Sequence, residues 1–336
     1  MVDGAHKYIP FRIGNGSKPV LPSTVHQDAM TFRVTFLGTS GAVPTTARNP
    51  SSIHVNRDGD RFLFDVGEGT QRQMMRFGTG FGISHVFVTH IHADHVLGLP
   101  GLLLTMGFND RTEPLTIVTP TGTGENLRKL LVALDKQPGF PVHIEEVEPG
   151  VTVLSRSEYD VRTFRTSHRT NSLGYAIVEH DRPGRFDRAA AEELGVPVGP
   201  KFSALHEGKS VELADGTVVE PEAVVGAPRP GRRVVYTGDT RPTDATVDAA
   251  TDADLLIHDG TFGSDNRDRA VETGHATAAE AGDIAHHAGA KHLVLTHISS
   301  RYTGSADRLR DEAAERFDGP VRVAADGERI EVPYPE

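Results

Sequence analysis

The chain has 336 residues, 37% apolar and 24% charged, which is ample for a full core and too apolar for a disordered chain. It has no Cys, which excludes disulfides, thiolate metal sites and Cys nucleophiles, and its 17 His leave any metal site to imidazole and carboxylate. With 35 basic against 46 acidic residues the net charge is −11, so the whole chain does not by itself suggest a nucleic-acid binder.

Residues 1–29 are polar and aperiodic, with Asp3, Lys7, Arg12 and Lys18 where an export signal would need an apolar core. They are expected to be a disordered N-terminal extension, with Met30 a candidate start. A strand is predicted over Thr31–Leu37, then a hairpin of Ser52–Val55 and Arg61–Asp65 around Asp58-Gly59. A helix over Thr70–Phe77, a buried strand over His85–Thr89 and a helix over Val96–Met106 follow. The longest apolar stretch, Val96–Phe108, is broken by Gly98, Pro100 and Gly101 and falls short of the ~20 residues that span a bilayer. A cytoplasmic protein is therefore expected, with no membrane partner. A strand over Leu115–Val118 leads into an amphipathic helix over Gly124–Leu134, with Leu127, Leu130, Leu131 and Leu134 on one face. Strands are predicted near 142–147, 151–154, 159–166 and 173–179.

Between His180 and Pro230 the composition shifts to Pro and Gly, with a short helix over Asp187–Leu194. This reads as an insertion that packs poorly on a core. The αβ alternation resumes with strand Arg233–Tyr236, a helix near 242–248, strand Asp254–His258, helix Ala276–Ala288, strand His292–Thr296, helix Ala306–Phe317 and strand Val321–Ala324. Strands mixed with helices in both halves predict two packed sheets covered by helices.

The strongest chemical signal is Thr89-His90-Ile91-His92-Ala93-Asp94-His95, four possible metal ligands directly after an apolar strand. Strand alternation points His90 and His92 the same way, and the following turn brings Asp94 and His95 back across the same pocket. Two groups of ligands from one loop suit two adjacent metals. Further ligands stand at strand ends: His168, Asp239 within Tyr236-Thr-Gly-Asp-Thr240, and His297. They supply one more ligand for each metal and a bridging carboxylate.

This HxHxDH motif with later single His, Asp and His resembles the metallo-β-lactamase superfamily, and within it the ribonuclease Z family, from about Met30 to Val332. Phe36–Pro44 resembles the family's opening strand and turn, and Pro44–Asn49 its PxKxRN loop, with Thr46 in the Lys position. Asp65-Val-Gly-Glu-Gly-Thr-Gln71 matches the DxGEGTQ block, Ser172-Leu-Gly-Tyr175 the SxGY segment, and His297-Ile-Ser-Ser-Arg-Tyr302 the family ending. The HEAT motif stands as His258-Asp-Gly-Thr261, and HST as His275-Ala-Thr277. Gly195-Val-Pro-Val-Gly-Pro200 resembles the Gly/Pro motif of the flexible arm that grips tRNA.

The resemblance implies an αββα sandwich with that arm inserted at about 181–226, and a zinc-dependent endoribonuclease that removes the 3′ trailer from tRNA precursors. It implies two Zn²⁺ per chain. His90, His92 and His168 would hold one, Asp94, His95 and His297 the other, and Asp239 would bridge. Asp94 would orient the attacking water or take its proton, and Asp65 would orient a ligand His or be plainly structural. His275, steadied by Asp259, would protonate the leaving 3′ oxygen. Substrate contacts would come from Arg48, Asn49, Ser172, Ser299 and Arg301, and a homodimer is implied.

Local charge fits precursor tRNA as partner. Six Arg between Arg162 and Arg188 face only Glu179, Asp181 and Asp187, and Arg229, Arg232, Arg233 and Arg241 form a second cluster. A related dinuclear phosphodiesterase or arylsulfatase-like hydrolase acting on a small substrate would share every ligand. The arm and the Arg clusters argue for RNA.

Overall fold

The computed structural model describes residues 31–133 and 137–335. The extension expected over 1–29, and the final residue of the helix expected over 124–134, lie outside them. Seven strands form one sheet in the order Arg329–Glu331, Phe32–Gly38, Ser52–Arg57, Asp60–Phe64, His85–Phe87, Leu115–Pro120 and Val142–Val147. Its first three pairings are antiparallel and its last three parallel. A second sheet repeats the plan in reverse: Val321–Val323, Leu293–Thr296, Leu255–Asp259 and Arg233–Tyr236 run parallel, then Leu173–Glu179, Tyr159–Arg165 and Thr152–Ser155 pair antiparallel.

Alternation along these strands sorts the side chains. Phe32, Val34, Phe36, Ile53, Val55, Phe62 and Phe64 meet Tyr159, Val161, Tyr175, Ile177, Val234, Tyr236 and Ile257 between the sheets. On the outer face of the first sheet, Leu37, Leu63 and Val86 pack under Met74, Leu99, Leu102 and Met106. On that of the second, Val235, Leu256 and Leu295 pack under Ala278, Ala281, Ala285, Leu309 and Ala313. The result is the expected αββα sandwich, with each fully buried aliphatic side chain worth about 1.5–3 kcal/mol.

The structure departs from the sequence reading in several places. The single helix expected over Val96–Met106 is two, Ala93–Val96 and Leu99–Phe108. Between them Gly98 lies so close to the Gly67 carbonyl that a Cβ would sit 2.1 Å from its oxygen. Pro100, which needs no amide partner, opens the second helix. A helix at Arg267–Thr273 and the edge strand Arg329–Glu331 were not expected.

The insertion is also corrected: rather than packing poorly, it builds its own small core. Helices Arg188–Glu193 and Pro200–His206 and the hairpin of Val211–Glu212 with Val218–Val219 bury Ala191, Val196, Leu205, Val211, Val219 and Val224 together. At its base the two crossing segments pair through Arg182 and Arg229, each amide donating to the other's carbonyl at 2.8 and 2.9 Å. Among the described residues no helix is long and apolar enough to cross a membrane.

Candidate metal centre

The carboxyl ends of the parallel strands converge at one mouth, and the ligand-type side chains stand there. His90 follows strand His85–Phe87, Asp239 follows Arg233–Tyr236, Asp259 ends Leu255–Asp259 and His297 follows Leu293–Thr296. His168 comes from the loop after Tyr159–Arg165. The chain is shaped locally to bring them in. His297 has φ 60 and Asp65 φ 56, left-handed values that cost about 1–3 kcal/mol each in a non-Gly residue. Gly41 lies so close to His297 that a Cβ would stand 2.8 Å from its ring, and the short parallel pairing of Ser40–Gly41 with Ile298–Ser299 fixes that approach.

Hydrogen bonds on the outer nitrogens fix which ring nitrogens face inward. His168 Nδ1 donates to the Gly274 carbonyl at 2.8 Å and His95 Nδ1 to Asp65 at 2.8 Å. Thr89 gives its hydroxyl proton to Asp65, so it accepts from His90 Nδ1 at 3.0 Å. Thr261 gives its proton to Asp259, so it accepts from His297 Nδ1 at 2.8 Å. The Nε2 lone pairs of these four rings therefore point into the mouth.

There the inward ring nitrogens crowd one another. His90 Nε2 and His168 Nε2 lie 3.0 and 3.1 Å from His92 Nδ1, and His95 Nε2 lies 3.4 Å from His297 Nε2. Asp239 stands between the two sets. Its Oδ1 is 3.3 Å from His95 Nε2, and its Oδ2 is 3.4, 3.5 and 3.9 Å from His297, His90 and His168. That Oδ1 is buried and has no hydrogen-bond partner. Facing lone pairs and an orphaned buried carboxylate oxygen are what a divalent cation would satisfy, so the residues present fit metal. Three sets hold their donor atoms within 4.8 Å of one another: His90, His92, His168 and Asp239; Asp94, His95 and His297; and Asp239, Asp259, His275 and His297.

Electrostatics follow the same geometry. Burial opposes the charge on Asp239, yet the imidazoles of His297, His95 and His90 hold it well below the ordinary carboxylate range. Burial likewise opposes Asp94, and His95 and His297 pull it down; its Oδ2 also accepts from the Ala42 amide at 2.8 Å. His90 is pushed down by burial and by its neighbour His95. His275 behaves oppositely: burial is outweighed by Asp259 and Asp239, and it rises to about 9. Its Nδ1 lies 2.9 Å from Asp259 Oδ2.

The remaining residues singled out in the sequence fall in different places. Asp65 stands behind the ligand loop on His95. The Arg48 guanidinium is turned onto Thr39 Oγ1 at 2.7 Å and the Ala324 carbonyl. Asn49 bonds the Glu68 carbonyl at 2.6 Å with its side chain, and Asp326 at 2.7 Å with its amide. Both hold their own loop in place. Ser172, bonded by Thr166 at 2.7 Å, lines a cavity of about 470 Å³ with His168, Asn171 and Arg165. The Ser299 hydroxyl accepts from the Arg301 amide at 3.4 Å, and the Arg301 side chain is exposed.

The expected cluster of Arg229, Arg232, Arg233 and Arg241 loses two of its members. Arg232 is buried on Glu179, with bonds of 2.7 and 2.8 Å, and Arg241 pairs with Glu280. Neither offers its charge to a ligand, because each was drawn inward by a carboxylate remote in sequence. Sequence reasoning also missed the Ala42 amide on Asp94, the Tyr236 hydroxyl on Asp65 at 2.9 Å, and Thr261 behind His297. For the last two, their positions beside Asp239 and Asp259 were the available signal.

Fold and site together define a hydrolase of the metallo-β-lactamase superfamily. Residues 197–298 match the model of the beta-lactamase superfamily domain, and residues 32–182 that of anti-Pycsar protein Apyc1. The chain is 62% identical over 307 residues to ribonuclease Z of Halobacterium salinarum and 61% to that of Halorubrum lacusprofundi, in each case covering 91% of this chain and 99% of the relative. It is similar to the crystal structure of the short form of human tRNase Z, with 27% identity, TM-score 0.65, and coverage of 90% of this chain and 99% of that one. The chain belongs to the ribonuclease Z family and is an endoribonuclease.

Proposed function

We propose that the protein cleaves tRNA precursors to release the 3′ trailer, using two Zn²⁺ per chain. The observation that carries this reading is Asp239, a buried carboxylate set between two groups of inward lone pairs, in a chain of the ribonuclease Z family. His90, His92 and His168 would hold one ion and Asp94, His95 and His297 the other, with Asp239 placed between the two sets. When bound, such ions activate water and neutralise charge developing on phosphate. Asp94, fixed by the Ala42 amide and His297, orients the attacking water or receives its proton. As the phosphorus–O3′ bond breaks, His275 gives its Nε2 proton to O3′, leaving a 3′-hydroxyl on the tRNA and a 5′-phosphate on the trailer. Asp259 holds His275 Nδ1 and so aims the ring.

Ser172, Ser299 and Arg301 contact the RNA, while Arg48 and Asn49 keep the 44–49 loop in the shape that receives it. The insertion at about 181–226 is the arm that grips tRNA, with Arg185 and Arg188 exposed on it. The same reading has the protein act in the cytoplasm as a homodimer. The test is cleavage of one end-labelled tRNA precursor, with the product end mapped and metals counted by mass spectrometry. A 3′-hydroxyl at the tRNA end and two ions are expected, and Asp239→Ala should abolish both. Near-normal turnover by that variant with both ions retained would overturn the reading.

A further inference from the structure

His275 is held through its ring and through both peptide groups that flank it. Its amide donates to the Ala270 carbonyl at 2.8 Å, and the preceding Gly274 carbonyl accepts from His168. Its own carbonyl accepts from Arg241 Nη1 at 2.5 Å. Arg241 is itself anchored two residues beyond Asp239, where its amide donates to the Ser167 carbonyl at 2.8 Å. Its guanidinium then forks onto Glu280, Nη1 to Oε2 at 2.7 Å and Nη2 to Oε1 at 2.5 Å.

Glu280 is no free surface partner. It closes the capping box of helix Ala278–Ala288, accepting from the Thr277 amide at 2.9 Å while Thr277 Oγ1 accepts from the Glu280 amide at 3.2 Å. The paired side chains of Arg241 and Glu280 are only 20% and 14% exposed, so the two-pronged, charge-assisted contact is poorly screened by solvent. One residue thus joins four parts: its backbone ties the loop of Asp239 to the loop of His168, and its guanidinium ties the backbone of His275 to the start of the helix behind it.

We propose that Arg241 is a positioning residue that sets the distance between His275 and the metal centre through its joint grip on the His275 carbonyl and Glu280. This rests on the reading of His275 as proton donor. Asp259 fixes how the imidazole is turned, whereas Arg241 fixes where its backbone stands. Lys cannot reproduce the grip, because an ammonium does not span two carboxylate oxygens and a carbonyl in one plane.

The test compares Arg241→Ala, Arg241→Lys, Glu280→Gln, His275→Ala and the Arg241→Ala/His275→Ala double variant, on precursor tRNA and on bis(p-nitrophenyl) phosphate. A misplacement of about 1 Å is enough for a loss of about 10²-fold. Arg241→Ala should therefore lose about that factor in kcat on RNA. Its loss should be much smaller on the nitrophenyl ester, whose phenolate leaves without a proton. Arg241→Lys and Glu280→Gln should show the same pattern more weakly, and they carry the test if Arg241→Ala does not fold. Added to His275→Ala, Arg241→Ala should cost nothing further on RNA, a result that general loosening of the fold would not give. Equal losses on both substrates, or additive losses in the double variant, would overturn the proposal. If His275→Ala separates the substrates and Arg241→Ala does not, this proposal alone falls. If His275→Ala fails to separate them, the proton-donor reading falls and takes this one with it.

Discussion

Asp65 Oδ2 accepts from His95 Nδ1 at 2.8 Å, and the hydroxyls of Thr89 and Tyr236 hold the same oxygen at 2.9 Å. The carboxylate thereby fixes the His95 tautomer and turns its Nε2 inward. Partners of this kind typically carry 10–100-fold in metal affinity. Asp65→Asn should weaken metal affinity at the set of Asp94, His95 and His297 by about that factor while His90, His92 and His168 remain in place. Competition against a chromophoric chelator reads this directly, and unchanged affinity in a folded variant would make Asp65 merely structural.

His275→Ala removes the group that stands 2.9 Å from Asp259 and faces the mouth. General acid help is typically worth about 10²–10⁴-fold. Cleavage of precursor tRNA should fall by that order, with both ions retained. Hydrolysis of a nitrophenyl phosphodiester should fall far less. Equal losses would point to a disturbed metal centre.

The base of the insertion suggests a clean deletion. Gly184 approaches Gly226 so closely that a Cβ on it would lie 1.9 Å from the Gly226 carbonyl oxygen, and the Arg182–Arg229 pairing lies just outside. Removing 185–225 and joining Gly184 to Gly226 leaves that pairing intact and takes the small core away whole. The variant should bind precursor tRNA weakly, yet keep its metals and its hydrolysis of a small phosphodiester. Loss of the small-ester activity in a folded, metal-loaded protein would place the insertion inside the catalytic site.

Much of this was legible in the sequence because the signals are local. The spacing of His90, His92, Asp94 and His95 needs only strand alternation and one turn, and helix Thr70–Phe77 lies where its pattern puts it. His168, Asp239 and His297 were legible as residues just after apolar strands. What was not legible depends on partners far along the chain. Arg232 looked like surface charge because Glu179, 53 residues away, cannot be paired with it by pattern. Helix Arg267–Thr273 buries Ala270 and shows no apolar stripe to announce it. The strand Arg329–Glu331 is recognisable by its pairing with Phe32–Gly38 and not by its own alternation.

The buried Glu179 gives a pH prediction. Burial raises its pKa, but Arg232 and Arg57 more than offset this, so the folded value lies below the ordinary 4.5. The network therefore stabilises fully above about pH 4.5, and its contribution is lost as pH falls through the lowered folded value. Glu179→Gln takes the carboxylate from the buried Arg232 guanidinium, while Arg57 keeps Glu158, and should cost about 3–5 kcal/mol at neutral pH. Calorimetric Tm from pH 7 down to 3 should fall more steeply for the parent protein than for this variant. Parallel curves would show that Glu179 does not carry the acid sensitivity.

The strand Arg329–Glu331 completes the first sheet beside Phe32–Gly38, and Ala324 and Asp326 hold the side chain of Arg48 and the amide of Asn49. The loop assigned to receive RNA is thus shaped by residues made nearly three hundred positions later. A break anywhere between these two stretches would leave His90 to His95 on one piece and the partners of Arg48 and Asn49 on the other, so the shape of the 44–49 loop depends on both ends of the sandwich being assembled together.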